Sequence, residues 1–200
     1  ERYELGKLFE KFASEDGYSN VLIKNFVHDE CRFDGPDDNL ANITFLEFVF
    51  ADSYFMQHSM GDPEAKYKMM AVLYRRHVID SSDEDYEGDT REPFSEHRIG
   101  KRAESFKSMN SAYVNGILMN YLNIRKTIEQ RYYLLFPQKD EDAAEKANEV
   151  NKNQKCNGWS VTFKKFVDDD LINEDKYASM NAHRVLEVLN ERIKENMKNG

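Results

Sequence analysis

The stretch at residues 80–97 has the most regular spacing of residues that could do chemistry. Asp83, Asp85 and Glu87 occupy the first, third and fifth positions of a calcium-binding loop, where oxygen ligands are needed. The twelfth position should supply a bidentate glutamate, but it is Phe94. We therefore interpret residues 80–97 as a solvated acidic loop, and calcium binding by the three carboxylates is the weaker reading.

Residues for covalent or metal-assisted catalysis do not cluster in the sequence. The five histidines form no His-Glu-x-x-His pair, and neither Cys31 nor Cys156 has a cysteine partner at metal-ligand spacing. No Gly-x-Ser-x-Gly nucleophile and no glycine-rich phosphate loop occurs. Carboxylates are too abundant for one acid–base pair to stand out. We expect a protein that is not an enzyme and that uses neither a cofactor nor a metal.

Basic residues form two short clusters in this acidic chain. The clusters are His97, Arg98, Lys101 and Arg102, and the pair Lys164 and Lys165. Each could meet a phosphate or an acidic partner, but the favoured interpretation is a solvated helix start and a solvated helix face. Arg75 and Arg76 are expected to close a helix, because the helix dipole favours cations at its C-terminus.

Four aromatic residues are the candidates for contact with a protein partner: Trp159, Phe163, Tyr132 and Tyr133. Trp159 is the only tryptophan, and tryptophans often anchor interfaces. Helical spacing favours a core role for Tyr132 and Tyr133, and a core role is also the favoured interpretation of Trp159. The aromatic set is therefore a partner-binding hypothesis rather than a recognised motif.

Composition narrows the class of protein. The chain has 200 residues, with 28 Lys and Arg against 37 Asp and Glu, which leaves a net charge of -9. This charge disfavours broad binding to nucleic acid, since phosphate backbones are repelled. No apolar run reaches the roughly 18 residues of a membrane span, so no membrane association is expected. Two cysteines fit a reducing compartment better than a disulfide framework.

Four helices should position these residues. Thr44 and Glu47 have the spacing of a capping box, which predicts a helix start at Thr44. Asp62 followed by a proline predicts a second helix that runs to about Arg76. Apolar residues at steps of three and four predict one long helix over 101–136. Asn181 should cap a final helix.

The predicted fold is therefore all-α, a single-domain irregular helical bundle that contains one long helix. Residues 1–40 are expected to form an N-terminal extension, and residues 18–28 could add a minor strand element. Residues 138–158 are charged and amide-rich, which indicates a polar linker. Together with the acidic loop, these segments lie within one domain that covers residues 1–200.

Five short runs carry a resemblance to a known group of proteins. They are residues 42–48 (Asn-Ile-Thr-Phe-Leu-Glu-Phe), 67–75 (Tyr-Lys-Met-Met-Ala-Val-Leu-Tyr-Arg), 133–137 (Tyr-Leu-Leu-Phe-Pro), 158–161 (Gly-Trp-Ser-Val, with Phe163) and 180–186 (Met-Asn-Ala-His-Arg-Val-Leu). This series resembles uncharacterised proteins encoded in the tail-gene region of phages and prophages of Bacteroidetes, some of which look like tail assembly chaperones. The resemblance covers about residues 40–195.

The resemblance implies a non-enzymatic role in tail assembly. Such a chaperone would bind a helical client, such as a tape-measure-like or other virion protein, through an amphipathic groove. It would act in the cytoplasm of a bacterial host. One alternative is a structural subunit of the virion, in a ring, neck or connector, which would form a homo-oligomer. A second alternative is a calcium-responsive binding module. The sequence leaves the oligomeric state open.

Overall fold

The computed structural model describes residues 19–136, Trp159, Val167 and residues 173–199, and these residues form a mainly helical fold with a small antiparallel sheet. The helices are α1 (Phe45–Ser59), α2 (Ala65–Leu73), α3 (Ile99–Phe106), α4 (Ser111–Arg131), α5 (Glu174–Ala178) and α6 (Ala182–Asn199). The strands are β1 (Asn25–His28), β2 (Cys31–Asp34) and β3 (Arg75–Arg76). The expectation of an all-α fold is thus correct only at the coarser level of a mainly helical protein.

The sheet begins with a tight hairpin. β1 and β2 pair antiparallel, with Phe26 opposite Phe33. Asp29 and Glu30 form the two-residue connection, with φ values of 47° and 59°. Positive φ at both central residues matches the twist of the flanking strands, which explains why so short a turn suffices. The minor strand element expected near residues 18–28 is therefore part of a three-stranded sheet with the order β1-β2-β3.

Residues 19–40 belong to the core and do not form an extension. Phe26 and Phe33 are buried and lie with their ring centroids 5.5 Å apart. Phe106 meets both rings edge-on, at 5.7 Å and 5.1 Å. Tyr74 packs against Phe26 at 5.2 Å. The aromatic cluster fixes the hairpin to α2 and α3, so the predicted N-terminal extension is wrong for this part; residues 1–18 lie outside the described residues.

The capping box at the start of α1 is confirmed. The Thr44 hydroxyl accepts a hydrogen bond from the Glu47 backbone at 3.2 Å, and the Glu47 carboxylate accepts one from the Thr44 backbone at 3.1 Å. A short bridge between Thr44 and Asn181 joins this start to that of α6. Asn181 also accepts a hydrogen bond from the Arg184 backbone at 3.3 Å, as a capping residue should. The two predicted helix starts therefore lie side by side.

The second helix ends three residues earlier than predicted. α2 stops at Leu73, and Tyr74 has extended backbone angles. The Tyr74 hydroxyl donates to the Ile23 carbonyl at 2.8 Å, which holds this residue against the hairpin. Arg75 and Arg76 then pair with β2 as strand β3. Their interpretation as cations that close a helix is wrong, because pairing with a distant strand overrides the helical pattern.

The predicted helix over 101–136 is two helices. α3 ends at Phe106, and α4 begins at Ser111. Asn110 caps α4 by accepting a hydrogen bond from the Ala112 backbone at 2.9 Å. An asparagine at this position favours a new helix start. The spacing of apolar residues therefore continues across the break, although the helix does not. α4 remains a long helix of 21 residues.

None of the helices in the described ranges combines the length and apolar character that a membrane crossing requires. Phe163, Lys164, Lys165 and the polar linker predicted at residues 138–158 lie outside the described residues. Between β3 and a short helical turn at Glu96–Arg98, the loop consists of turns and bends joined by an isolated bridge between His77 and Arg91.

Candidate anion-binding cleft

A cleft of about 410 Å³ opens between the sheet, the end of the acidic loop and α3. It is lined by Phe33, Arg76, Glu92, Arg98, Lys101, Arg102 and Ser105. Four of these side chains are cationic and one is a carboxylate, so the lining is strongly positive in a chain with a net charge of -9. The cleft therefore concentrates positive charge against the sign of the whole protein.

The elements around the cleft explain how these cations meet. Arg98 and Arg102 are four residues apart, at the start of α3 and within it, so they lie on one helix face. Arg76 lies opposite Phe33 in the β2–β3 pairing, which places it on the same face of the sheet as that ring. Three of the four cations belong to the basic cluster noted in the sequence, whereas Arg76 joins them only through the sheet. His97, the remaining member of that cluster, is exposed and does not line the cleft.

Glu92 is held firmly at the inner end of the cleft. Its backbone amide donates to the Arg76 carbonyl at 2.7 Å, and its own carbonyl accepts from Arg75 Nη1 at 2.8 Å. Its carboxylate accepts from Arg98 Nη1 at 2.7 Å and from Arg102 Nη2. Glu92 thus neutralises part of the positive charge while its position is fixed by the backbone.

Arg102 forms the buried wall of the cleft. Its side chain donates to the Ala71 carbonyl and to Glu92, and only 6% of the side chain is exposed. Burial lowers the pKa of Arg102, and the charges of Arg98 and Arg76 lower it further against the opposing effect of Glu92. The cations of the cleft therefore repel one another, which an incoming anion would relieve.

Arg76 and Lys101 supply the uncommitted donors of the cleft. Both are exposed, and neither side chain makes an ion pair or hydrogen bond with any residue that the structure describes. Arg98 is 61% exposed, and its partner among the described residues is Glu92. In contrast, the Ser105 hydroxyl donates to the Arg102 carbonyl at 2.9 Å, so it is committed within α3. The lining thus offers positive charge and hydrogen-bond donors to an anion.

A second group of charges lies beneath the cleft, and we call Glu47, Arg75, Asp89 and Arg91 the interior cluster. Arg75 Nη2 lies 2.8 Å from Glu47 Oε1 and 3.0 Å from Asp89 Oδ2. Arg91 donates two hydrogen bonds of 2.8 Å to the Asp89 carboxylate and one of 3.0 Å to the Leu73 carbonyl. Two cations face two carboxylates here, so the interior cluster is balanced.

Burial acts on both partners of the central pair in the interior cluster. It raises the pKa of Glu47, although Arg75 and Arg91 oppose the shift. It also lowers the pKa of Arg75 to about 10, with Arg91 acting in the same direction. Arg75 therefore remains charged at neutral pH. The sequence indicated Glu47 only as a capping residue, and no local signal marked its partner Arg75.

The predicted partner-binding tyrosines differ in exposure. Tyr132 is buried, and its hydroxyl lies 2.9 Å from His183 Nδ1 on α6. Burial raises the pKa of this phenol, so it stays protonated. Tyr133 is 53% exposed. Of the two, only Tyr133 presents its ring to the surroundings, and neither lines the cleft.

Trp159 lies partly buried against α1. Its indole donates from Nε1 to Asp52 Oδ2 at 2.7 Å. The ring packs edge-on against Phe48 at 5.1 Å and Phe136 at 5.6 Å. These contacts anchor Trp159 to the core, which matches the favoured reading of this residue.

Asp52 is the centre of a second buried polar group. Besides Trp159, it accepts a hydrogen bond from Arg125 Nε at 2.5 Å and one from the Tyr121 hydroxyl at 3.3 Å. Burial, assisted by the charge of Asp52, raises the pKa of Tyr121 well above its ordinary value, so the phenol remains a donor. Three donors from α4 and Trp159 thus converge on one carboxylate of α1. The sequence pattern did not indicate this group.

The calcium candidates lie in the acidic loop and point to no formed site. Asp83, Asp85 and Glu87 are exposed, and Asp83 Oδ2 accepts a hydrogen bond from the Asp80 backbone at 2.9 Å. Within residues 19–136 and the other described positions, no group of three or more His, Cys, Asp or Glu side chains could hold a metal ion.

No protein-family model, curated protein or solved structure matches the chain.

Proposed function

We propose that this protein is a non-catalytic binding protein that takes an acidic, helical segment of a protein partner in the basic cleft. The observation that carries the proposal is the set of cations at Arg76, Arg98 and Lys101 in a chain whose net charge is -9. Uncompensated positive charge at one place of an acidic protein is costly unless an anion binds there. Electrostatic complementarity of this kind gives specificity and fast association.

The shape and lining of the cleft favour a peptide segment. Phe33, which is 4% exposed, contributes a small apolar area to a lining that is otherwise mostly cationic. A helix that presents carboxylates beside an apolar side chain would match both parts. A volume of about 410 Å³ accommodates a few side chains rather than a whole domain. The partner is therefore expected to insert one short stretch.

The resemblance to phage tail-region proteins supports a specific setting for this binding. In that setting the partner is a tape-measure-like or other virion protein, and the protein acts in tail assembly in the cytoplasm of a bacterial host. A place in the virion is the alternative if the contact is retained after assembly. This biological setting rests on the sequence resemblance, whereas the binding chemistry rests on the cleft.

Fluorescence anisotropy tests the binding chemistry directly. The probe is a labelled helical peptide with glutamates and leucines along one face, titrated with the wild-type protein and with the double variant Arg76→Ala, Lys101→Ala. We expect the double variant to bind at least about tenfold more weakly, since each lost ionic hydrogen bond contributes about 1 kcal/mol or more.

The matched control removes one arginine and one lysine from exposed positions of α6. Arg184→Ala, Lys198→Ala changes the net charge by the same amount without touching the cleft. This control should bind the peptide like the wild type. Equal affinities for the wild type and the cleft variant would contradict the proposal.

A further inference from the structure

We infer that the basic cleft of one chain receives the acidic loop of a second copy of the same chain. The inference rests on the proposed function, because it uses the same cleft for an acidic segment, which here is a loop of a second copy rather than the helix of another protein. The occupant is the acidic tip, defined as Glu84, Asp85, Tyr86 and Glu87.

The loop that carries the acidic tip is anchored at both ends. The Val78 amide donates to the Thr90 carbonyl at 2.9 Å, and His77 and Arg91 form an antiparallel bridge. The Asp83 amide donates to the Asp80 carbonyl at 3.0 Å, which adds a turn before the tip. The tip is therefore presented by a short ladder that extends from β3. A presented segment loses less conformational entropy on docking than a free tail does.

The acidic tip has the composition that the cleft requires. Glu84, Asp85 and Glu87 are exposed, and their carboxylates make no ion pair or hydrogen bond with any described residue. Tyr86 lies half-buried between two of them. A segment rich in carboxylates complements a cleft that is lined by four cations.

Within one chain the two surfaces do not meet. Among the described residues, the ion pairs of the cleft cations are those that Glu92 makes with Arg98 and Arg102. The backbone hydrogen bond from Glu92 to Arg76 fixes the base of the loop beside the cleft. The tip and the cleft of one chain therefore remain separate surfaces, each available to another copy.

A contact between two different surfaces has a consequence for assembly. Each chain can donate its acidic tip to one neighbour and accept the tip of another, which makes the contact heterologous. Repetition of such a contact produces a closed ring if the rotation closes, and an open chain if it does not. A partner segment that enters the cleft would compete with this self-association.

Analytical ultracentrifugation tests the inference with paired variants. We expect the wild type to show a mass above one chain that rises with concentration. The cleft variant Arg76→Ala, Lys101→Ala and the tip variant Asp85→Ala, Glu87→Ala should each remain a single chain. An equimolar mixture of the two variants should form a species of two chains and nothing larger, because only one intact tip and one intact cleft remain.

The control Arg184→Ala, Lys198→Ala should associate like the wild type. A wild type that stays a single chain at all concentrations would overturn the inference, as would a tip variant that associates normally. The peptide titration separates this failure from that of the proposed function. If the tip variant binds the peptide while the wild type does not associate, only the self-association is wrong; if the cleft variant still binds the peptide, the proposed function is wrong.

Discussion

Arg75 and Arg76 are consecutive residues of β3, yet they belong to two regions with different electrostatics. Successive side chains of a strand point to opposite faces, so one arginine enters the interior cluster and the other reaches the cleft. Arg75 is buried and bonded to Glu47 and Asp89. Arg76 is exposed and pairs with no described carboxylate. The two positions therefore compare the same side chain in a balanced and in an unbalanced setting.

The difference indicates what each region is for. The interior cluster contains two cations and two carboxylates. It therefore links α1, β3 and the acidic loop and has no net charge. The cleft contains four cations and the single carboxylate of Glu92. Repulsion among these cations lowers the stability of the free protein, and an anion that binds in the cleft relieves this repulsion. The first region is thus structural, and the second is fitted for a ligand.

The largest effect is expected from breaking the interior cluster. Arg75→Ala should lower the free energy of unfolding by about 3–5 kcal/mol, since it leaves the buried carboxylate of Glu47 without its nearest cation. Urea titration followed by circular dichroism measures the change. Arg184→Ala, at an exposed position of α6, should change it by less than about 0.5 kcal/mol. A loss below about 1 kcal/mol for Arg75→Ala would show that the cluster is not structural.

The buried group around Asp52 offers a second test of whether such a group is structural. Asp52→Ala should lower the free energy of unfolding by about 2–3 kcal/mol, because Tyr121 and Trp159 lose their acceptor in a buried site. Trp159 is the only tryptophan, so its fluorescence in a urea titration reports on this group. Glu129→Ala removes only a partly exposed partner of Arg125 and should cost about 0.3–0.5 kcal/mol. Equal effects of the two substitutions would contradict the assignment.

Local signals explain why part of the fold could be predicted. The capping box of Thr44 and the cap at Asn181 involve residues close in sequence, and both starts are confirmed. The small sheet could not be predicted in the same way, because β3 pairs with residues that lie 41 and 43 positions earlier. The same pairing ends α2 early and turns Arg75 and Arg76 into strand residues. Asn110 carried a local signal for the break between α3 and α4, but the continuing apolar period concealed it.

The candidate site also has a part that local sequence signals predict and a part that only the fold brings together. Arg98, Lys101 and Arg102 are neighbours in sequence, and their cluster was visible before the structure was known. Arg76 and Phe33 join them only through the sheet, which makes a cleft out of a charged helix face. The partner-binding hypothesis for the aromatic residues was argued from residue type alone. In the structure, Trp159 donates a hydrogen bond to Asp52, and the Tyr132 hydroxyl is bonded to His183, so these contacts account for their polar atoms.

The buried carboxylate of Asp34 in the sheet should make the stability of the protein depend on pH. Burial opposes ionisation of Asp34, but hydrogen bonds from Thr90, His77 and Arg32 outweigh it and hold its pKa below the ordinary value of 3.8. A lowered pKa contributes stability above pH 3.8 that is lost as the pH falls through the value in the folded protein. Asp34→Asn should therefore lose about 1–2 kcal/mol at pH 7, and the difference from the wild type should shrink below pH 3.8.

Urea midpoints measured at pH 7 and near pH 3 check this expectation. Asp175→Asn, at an exposed position of α5, provides the matched control and should follow the wild type at both pH values. A difference between Asp34→Asn and the wild type that does not change with pH would show that the charge of Asp34 is not what stabilises the sheet.

Arg76→Ala is expected to have the smallest effect on the free energy of unfolding, and the only one that stabilises the protein. Arg76→Ala removes a cation whose charge lowers the pKa of the buried Arg102, so it relieves repulsion in the cleft. The free energy of unfolding should stay within about 0.5 kcal/mol of the wild type and lie on the stabilising side, in contrast to the large loss for its neighbour Arg75. Urea titrations at low and high salt measure this, and the gain should disappear at high salt because screening weakens repulsion between exposed charges. A clear destabilisation by Arg76→Ala would mean that this cation is paired in the free protein, and the cleft would then be a second structural cluster rather than a site held open for an anion.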